Sequence, residues 1–329
     1  MSATKRTPSW YWSLLVLPGI LWAPTVAGSA EREIAGMITE IYVGRGQVEV
    51  RSADSQRWRA GTPLLTLKDG DAVSTTEDAW VVIVLTGGRG SARVDEAASP
   101  FTVPAPSAGR SRLHKGLRIL EASFDFLATT IPKDLTFGPL GTRSGTKPPV
   151  ILTPCNGPVL PDSLIFEWRG SQSSAYWIRI SGPAGLVFER KNFTATRFQY
   201  PRNAPPLAAG VRYRFQLLPP LSPPQDAWFE LVDPDRAQTI RDALHDLEEA
   251  FIPALPPTTL AILRAGFLAR NGLLHDARLS LLEELARQPD EPTLHFLLGS
   301  LYARQGLGDE ATDAFAETRF LMNGTTKTR

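Results

Sequence analysis

The chain has 329 residues, 43% of them hydrophobic, which is enough for two or three domains that each bury a core. Lys and Arg number 35 against 34 Asp and Glu, so no global field exists to steer the chain onto nucleic acid or an anionic membrane. Cys155 is the single cysteine, which excludes an internal disulfide.

The first thirty residues set basic Lys5 and Arg6 ahead of the apolar stretch WYWSLLVLPGILW, then Pro24 and the small residues VAGSA. This order predicts a secretory signal peptide over 1–30, cleaved after Ala30 or alternatively Ala27. Retention as an inner-membrane anchor is the alternative reading, although Leu14 to Trp22 falls short of the roughly 20 apolar residues of a spanning helix. Later uncharged stretches reach only about 14 residues and contain prolines, so no membrane span is expected in the mature chain. An exported chain without disulfides, and without a cysteine at the cleavage site to take a lipid, points to a bacterial periplasm or to secretion.

From Gly36 to Val103 the pattern is one of short strands. Gln47 to Arg51 alternates apolar with polar, Trp80 to Leu85 is continuously apolar, and Gly44, Gly46, Gly61-Thr62-Pro63, Asp69-Gly70-Asp71 and Gly87-Gly88 punctuate them. Regular spacing of this kind predicts a compact all-β unit over 36–103. The order VGRGQVEVR, WRAGTPL, LKDGDAVSTTEDAWVVIVLTGG resembles the FecR-like domain, a β-rich periplasmic module. The resemblance rests on Gly61, Leu64, Gly70, Asp71 and Thr75, and it departs from the family at Thr86, where an aspartate usually precedes the glycine. It implies a part in envelope sensing or assembly.

Residues 104–146 read as a linker carrying one amphipathic helix, because Leu113, Leu117, Leu120, Phe124 and Leu127 recur every three to four residues. Strand patterns return over 147–220 in LIFEW, AYWIRI and GVRYRFQL, the last alternating over seven residues from Val211 to Leu217. These segments resemble an immunoglobulin-like or fibronectin III-like sandwich, which implies Trp168 in its core and Tyr213 packed on a late strand.

The region 235–323 is helical. Ile240, Leu244, Leu247 and Phe251 share one face, Asp233 or Asp235 can cap that helix, and Pro253 ends it. A 34-residue period then relates Gly272 to Gly306, Ala277 to Ala311 and Leu281 to Phe315. With Pro289, Leu298, Gly299 and Tyr302, these positions resemble two tetratricopeptide repeats near 258–291 and 292–325. Two repeats are few for a free-standing solenoid, so the helix before them is expected to supply a packing partner.

No constellation for catalysis, a cofactor or a metal emerges. His114, His245, His275 and His295 lack ligand spacing, Cys155 has no local nucleophile signature, and Gly87-Gly88-Arg89-Gly90 leads into no helix that would hold a phosphate. The Asn192-Phe193-Thr194 sequon carries little meaning in a bacterial chain. The expected architecture is multidomain: an all-β FecR-like module, a β-sandwich and α-helical repeats. The expected function is non-enzymatic binding of an unknown protein partner through the C-terminal helices. The alternative is peptidoglycan or glycan binding by the β modules through Trp58, Trp177 or Trp228.

Overall fold

Residues 32–106, 114–130, 149–171, 174–251 and 254–323 are described by the computed structural model. The expected signal segment 1–30 and most of the expected 104–146 linker lie outside them.

Eight strands come first: β1 (Ile34–Tyr42), β2 (Val48–Arg51), β3 (Trp58–Ala60), β4 (Thr66–Lys68), β5 (Ala72–Thr75), β6 (Trp80–Leu85), β7 (Ser91–Val94) and β8 (Phe101–Thr102). They form two antiparallel sheets, ordered β4-β1-β6-β7 and β3-β2-β5-β8. Where the sequence alternates, one face is buried: Val48 and Val50 of β2 point inward, while Glu49 and Arg51 stay half-exposed. β6 is buried on both faces, with Val81, Ile83 and Leu85 in the β core and Val84 in a second core built by helices. β1 is more extreme, since every residue from Ala35 to Ile41 is buried. A register shift between Ile38 and Glu40 in its pairing with β6 puts Ile38 and Ile41, three positions apart, in the same β core. Met37 joins the helical core.

The second group comprises β9 (Val150–Thr153), β10 (Gly157–Val159), β11 (Ile165–Arg169), β12 (Tyr176–Gly182), β13 (Gly185–Phe193), β14 (Arg197–Gln199), β15 (Arg212–Leu218) and β16 (Gln225–Leu231). Its sheets run β14-β11-β9 and β10-β16-β15-β12-β13, antiparallel except for β10 beside β16. The larger sheet thus continues past Pro220 with β16. Between the sheets lies an aromatic core in which Phe166 sits 4.7 Å from Phe198 and 4.8 Å from Phe215. Trp168 is 1% exposed in the same core. β15 keeps its alternation, burying Tyr213, Phe215 and Leu217 while Arg212 and Arg214 face solvent. The Tyr213 hydroxyl accepts from the Ala208 backbone N–H at 2.8 Å, fixing the approach to the strand.

Six helices complete the described residues: α1 (His114–Thr130) between the two β groups, then α2 (Pro234–Phe251), α3 (Pro257–Arg270), α4 (Leu274–Leu285), α5 (Pro292–Arg304) and α6 (Gly308–Met322). The Asp233 carboxylate caps α2 by accepting from the Asp235 N–H at 3.0 Å. Leu120, Phe124 and Leu127 of α1 are buried against the other helices, as their spacing predicts. The 34-residue period is visible as repeated geometry. Gly272 (φ +81°) ends α3 and Gly306 (φ +78°) ends α5. Leu273 N–H reaches Leu268 O at 2.9 Å and Leu307 N–H reaches Tyr302 O at 2.9 Å, the same six-residue closure of a helix C-terminus. In the second hairpin α5 and α6 approach so closely that a Cβ on Gly299 would lie 2.8 Å from the Phe315 ring.

The helical core includes Met37, Leu64 and Val84 from the first β group, and Val150, Leu152 and Leu160 pack on it from the second. The described residues from Glu33 onward therefore form one compact unit in which both β groups lie against helices. Among the described residues, no helix is long and apolar enough to cross a membrane.

Candidate functional site

The residues singled out in the first β group hold that group together. The Gly61 N–H donates to Val48 O at 2.8 Å, and Leu64 is fully buried with φ +59°. Gly70 (φ +76°) turns the chain so that the buried Asp71 carboxylate accepts from the Ala53 N–H at 3.1 Å and the Lys68 N–H at 2.9 Å. Thr75 N–H donates to the Ser99 hydroxyl at 3.0 Å. The Asp71 carboxylate and the Ser74 hydroxyl, which lies 3.1 Å from that of Ser99, are thus spent on internal bonds. In the helices, Ala277, Leu281 and Ala311 are buried, Phe315 is half-buried, and Pro289 is exposed ahead of α5. Leu298 and Tyr302 are buried too, yet both border an open groove.

That groove, about 620 Å³, lies between β11 and the α5–α6 hairpin. Strand alternation places it: Phe166 and Trp168 face the sandwich core, so Glu167 and Arg169 face the helices. Glu167 Oε2 accepts from Arg278 Nη1 at 3.0 Å, and Arg278 Nε donates to the Tyr302 hydroxyl at 3.2 Å. Burial works against the charge on Arg278, which is 2% exposed, but Tyr302 and Glu167 outweigh it and hold the guanidinium above its ordinary pKa. Arg169 pairs with Glu310 and lies 3.9 Å from Asp309. Leu152, Leu298 and Ala314 give the groove apolar surface. Asp313 and Glu317, one turn apart on α6, extend its acidic side. The lining thus holds four carboxylates against one guanidinium.

A second polar cluster joins β1 to the first turns of α3 and α5. Glu40 Oε1 accepts from the Thr259 N–H at 3.0 Å and from its hydroxyl at 2.5 Å, and the Thr39 and Thr259 hydroxyls are 3.0 Å apart. Glu291 Oε1 caps α5 through the Thr293 N–H at 3.2 Å and also accepts from the Ile41 N–H at 3.1 Å. Burial pushes Glu291 up to about 8, against the lowering effect of the bonds from Ile41 and Thr293. Burial likewise raises Glu40, with Thr259 opposing. The cluster uses its acceptors to close helix ends, which is a structural task.

The three tryptophans considered for sugar stacking are half-buried, and each carries a cation on its ring: Arg51 at 4.9 Å from the Trp58 centroid, Lys191 at 4.6 Å and Arg179 at 5.3 Å from Trp177, and Arg212 at 4.1 Å from Trp228. Trp228 also lines an open depression of about 600 Å³ with Arg212, Arg214 and Asp226.

The remaining candidates are dispersed. His275 is buried and bonded to Thr153, His295 Nε2 donates to Pro289 O at 2.7 Å, and His245 sits 3.2 Å from Glu249 on the exposed face of α2. The side chain of His114 lies outside the described residues. Among the described residues, no three His, Cys, Asp or Glu are placed to hold a metal ion. Cys155 is buried, and burial raises its thiol pKa, which disfavours the reactive thiolate. Gly87, Gly88 and Gly90, all at positive φ, form the β6–β7 turn.

Sequence reasoning passed over Glu167, Arg169, Arg278, Glu310 and Glu317. A signal existed for one of them: Arg278 adjoins Ala277 on the apolar side of α4, where an unpaired charge could not be buried. No protein family model and no curated protein matches the chain.

Proposed function

We propose that the chain is a non-enzymatic adaptor of the bacterial cell envelope, exported to the periplasm, that binds partner proteins beside its tetratricopeptide-like helices. On this reading residues 36–103 are a FecR-like module and the second β group is an immunoglobulin- or fibronectin III-like sandwich. The observation that carries it is the open groove bordered by Leu298 and Tyr302 of a helical hairpin repeated at 34 residues. The Tyr213 hydroxyl bonded to a backbone N–H five residues upstream supports the sandwich assignment. The test is cross-linked affinity purification of the full chain from its own envelope, with N-terminal sequencing of the recovered protein. Partners should be recovered in a stoichiometric complex, and the mature N-terminus should follow Ala30 or Ala27. Recovery of a chain without partners at any cross-linker length would refute the adaptor.

A peptidoglycan- or glycan-binding protein is the second reading, favoured by the depression beside Trp228. The cations already seated on the Trp58, Trp177 and Trp228 rings weigh against it, because a sugar face would have to displace them. Sedimentation with insoluble peptidoglycan separates the two: retention that is lost on Trp228→Ala supports the glycan reading.

A further inference from the structure

We propose that the depression beside Trp228 binds a small acidic sugar, whose oxyanion is held by the Arg212 guanidinium. This goes beyond the adaptor reading and does not rest on it, because no helix residue lines the site.

Charge selects the class of ligand. The lining holds the guanidiniums of Arg212 and Arg214 against one carboxylate, Asp226. Asp226 is already engaged: Arg214 Nη2 donates to it at 2.6 Å and Arg214 Nε at 3.2 Å, and Gln216 Nε2 adds a bond at 2.9 Å. Arg212 is left over. It is exposed and forms no ion pair among the described residues, not even with Glu230 directly across on β16. Its Cζ lies over the Trp228 ring, 4.1 Å from the centroid. A guanidinium seated on a ring uses its face and leaves its N–H edge free, as the fork that takes two oxygens of a carboxylate or a phosphate. The cation that obstructs a neutral sugar at this ring is therefore the anchor for an acidic one.

The rest of the depression fits the body of such a ligand. Its volume, about 600 Å³, is that of a small-molecule site. Pro183 and the Trp228 ring give apolar surface, while the Ser181 hydroxyl, which makes no hydrogen bond among the described residues, is free to meet a sugar hydroxyl. The walls are also set before a ligand arrives. The Asn156 side-chain carbonyl accepts from the Trp228 backbone N–H at 3.3 Å, and the bonds of Arg214 and Gln216 to Asp226 tie β15 to β16, which lowers the ordering cost of binding.

The test titrates the full chain with glucose, glucuronate, glucose phosphorylated on its primary hydroxyl, and inorganic phosphate, followed by ligand-observed NMR at low ionic strength. At least one of the two acidic sugars should bind about tenfold more tightly than glucose, and Arg212→Gln should erase that difference while the thermal midpoint holds. A preference for glucuronate assigns the site to a carboxylate and a preference for the phosphorylated sugar assigns it to a phosphate; either supports the proposal. Arg190→Gln removes another guanidinium seated on an aromatic ring, outside the depression, and should leave all four affinities unchanged. Where Arg212→Gln lowers the midpoint, Arg212→Lys takes its place: it keeps the charge, loses the fork and must still reduce the preference for the acid. Glucose binding as tightly as the acidic sugars, inorganic phosphate matching the phosphorylated sugar, or equal losses in the Arg190 and Arg212 variants would overturn the proposal. So would a folded chain that binds neither acid, or peptidoglycan retention that survives Arg212→Gln but not Trp228→Ala, which would assign the ring to neutral stacking.

Discussion

The Glu291 carboxylate accepts a hydrogen bond from the Ile41 backbone N–H at 3.1 Å, across 250 positions of sequence. The same oxygen caps α5, so one side chain serves the first strand and the second helical hairpin together. Glu40, the neighbour of Ile41, does the reciprocal job for α3.

Stability is therefore expected to depend on pH in a direction opposite to that of most carboxylates. Glu291 is pushed up to about 8 and Glu40 is raised as well, so the folded chain holds protons that the unfolded chain has released. The contribution is fully present below the ordinary carboxylate range and is lost as pH rises through about 8. The groups facing this pair include Glu284 and Arg93 as well as the Thr259 and Thr293 hydroxyls. Urea midpoints measured from about pH 5 to about pH 9 should fall. Glu291→Gln, which keeps a carbonyl acceptor for both N–H groups, should flatten the curve. A midpoint that climbs over this range in the parent chain contradicts the assignment.

Arg278 bridges β11 and α5 from a side chain that is almost fully buried. Arg278→Met should destabilise the chain by about 3 kcal/mol, because Glu167 and the Tyr302 hydroxyl lose their shared partner. Adding Glu167→Gln should recover part of that loss. Denaturation of the two single variants and the double variant closes the cycle, and strictly additive effects would mean that the pair is not coupled.

Gly299 faces Phe315, and 34 positions earlier the first hairpin has Ala265 and Leu281, both buried in the helical core. Gly299→Ala should cost about 1–3 kcal/mol through overpacking on the ring. Phe315→Leu in the same chain copies the first hairpin's pair and should relieve the cost. Thermal melts of the three proteins decide it, and an unchanged melt for Gly299→Ala alone would show that α6 moves away freely.

Gly272 and Gly306 end their helices at φ +81° and +78° with matching hydrogen bonds. Replacing either by Ala should destabilise by roughly 1 kcal/mol, since a Cβ is disfavoured in the left-handed region. The two effects should be similar in calorimetry. A large difference would mean that one turn is held by packing and the other by its backbone.

Much of the fold was legible where burial is one-sided. Tyr213, Phe215 and Leu217 alternate with Arg212, Arg214 and Gln216, and the strand followed. The paired turns at Gly272 and Gly306 were legible because a repeat carries its geometry at fixed spacing. β1 resisted for a physical reason: its residues meet the β core on one side and helices on the other, and the shift after Ile38 breaks the period of two. Glu40 and Thr39 there look like solvent-facing positions, yet both are buried, Glu40 capping α3 and Thr39 meeting the Thr259 hydroxyl. The groove resisted more fully. Glu167 and Arg169 read as the exposed side of a half-buried strand, and nothing local to β11 announces that α6, some 140 positions onward, lies across from it.

The arrangement around β1 also bears on how the chain reaches this state. The Thr259 amide opening α3 is closed by Glu40, and the Ile41 amide by Glu291, only when the first strand has docked, after the whole intervening chain has been made. Contacts of such separation form late, because loop closure must precede them. The helical hairpins can gather early from their local turns, and Glu291 caps α5 from within the same segment, but the Thr259 amide in the first turn of α3 stays open to water until the first strand returns to it. Completion of the fold is thus a closing of the chain on its own beginning, and the hydrogen bond between residues 41 and 291 is a marker by which amide exchange could time it.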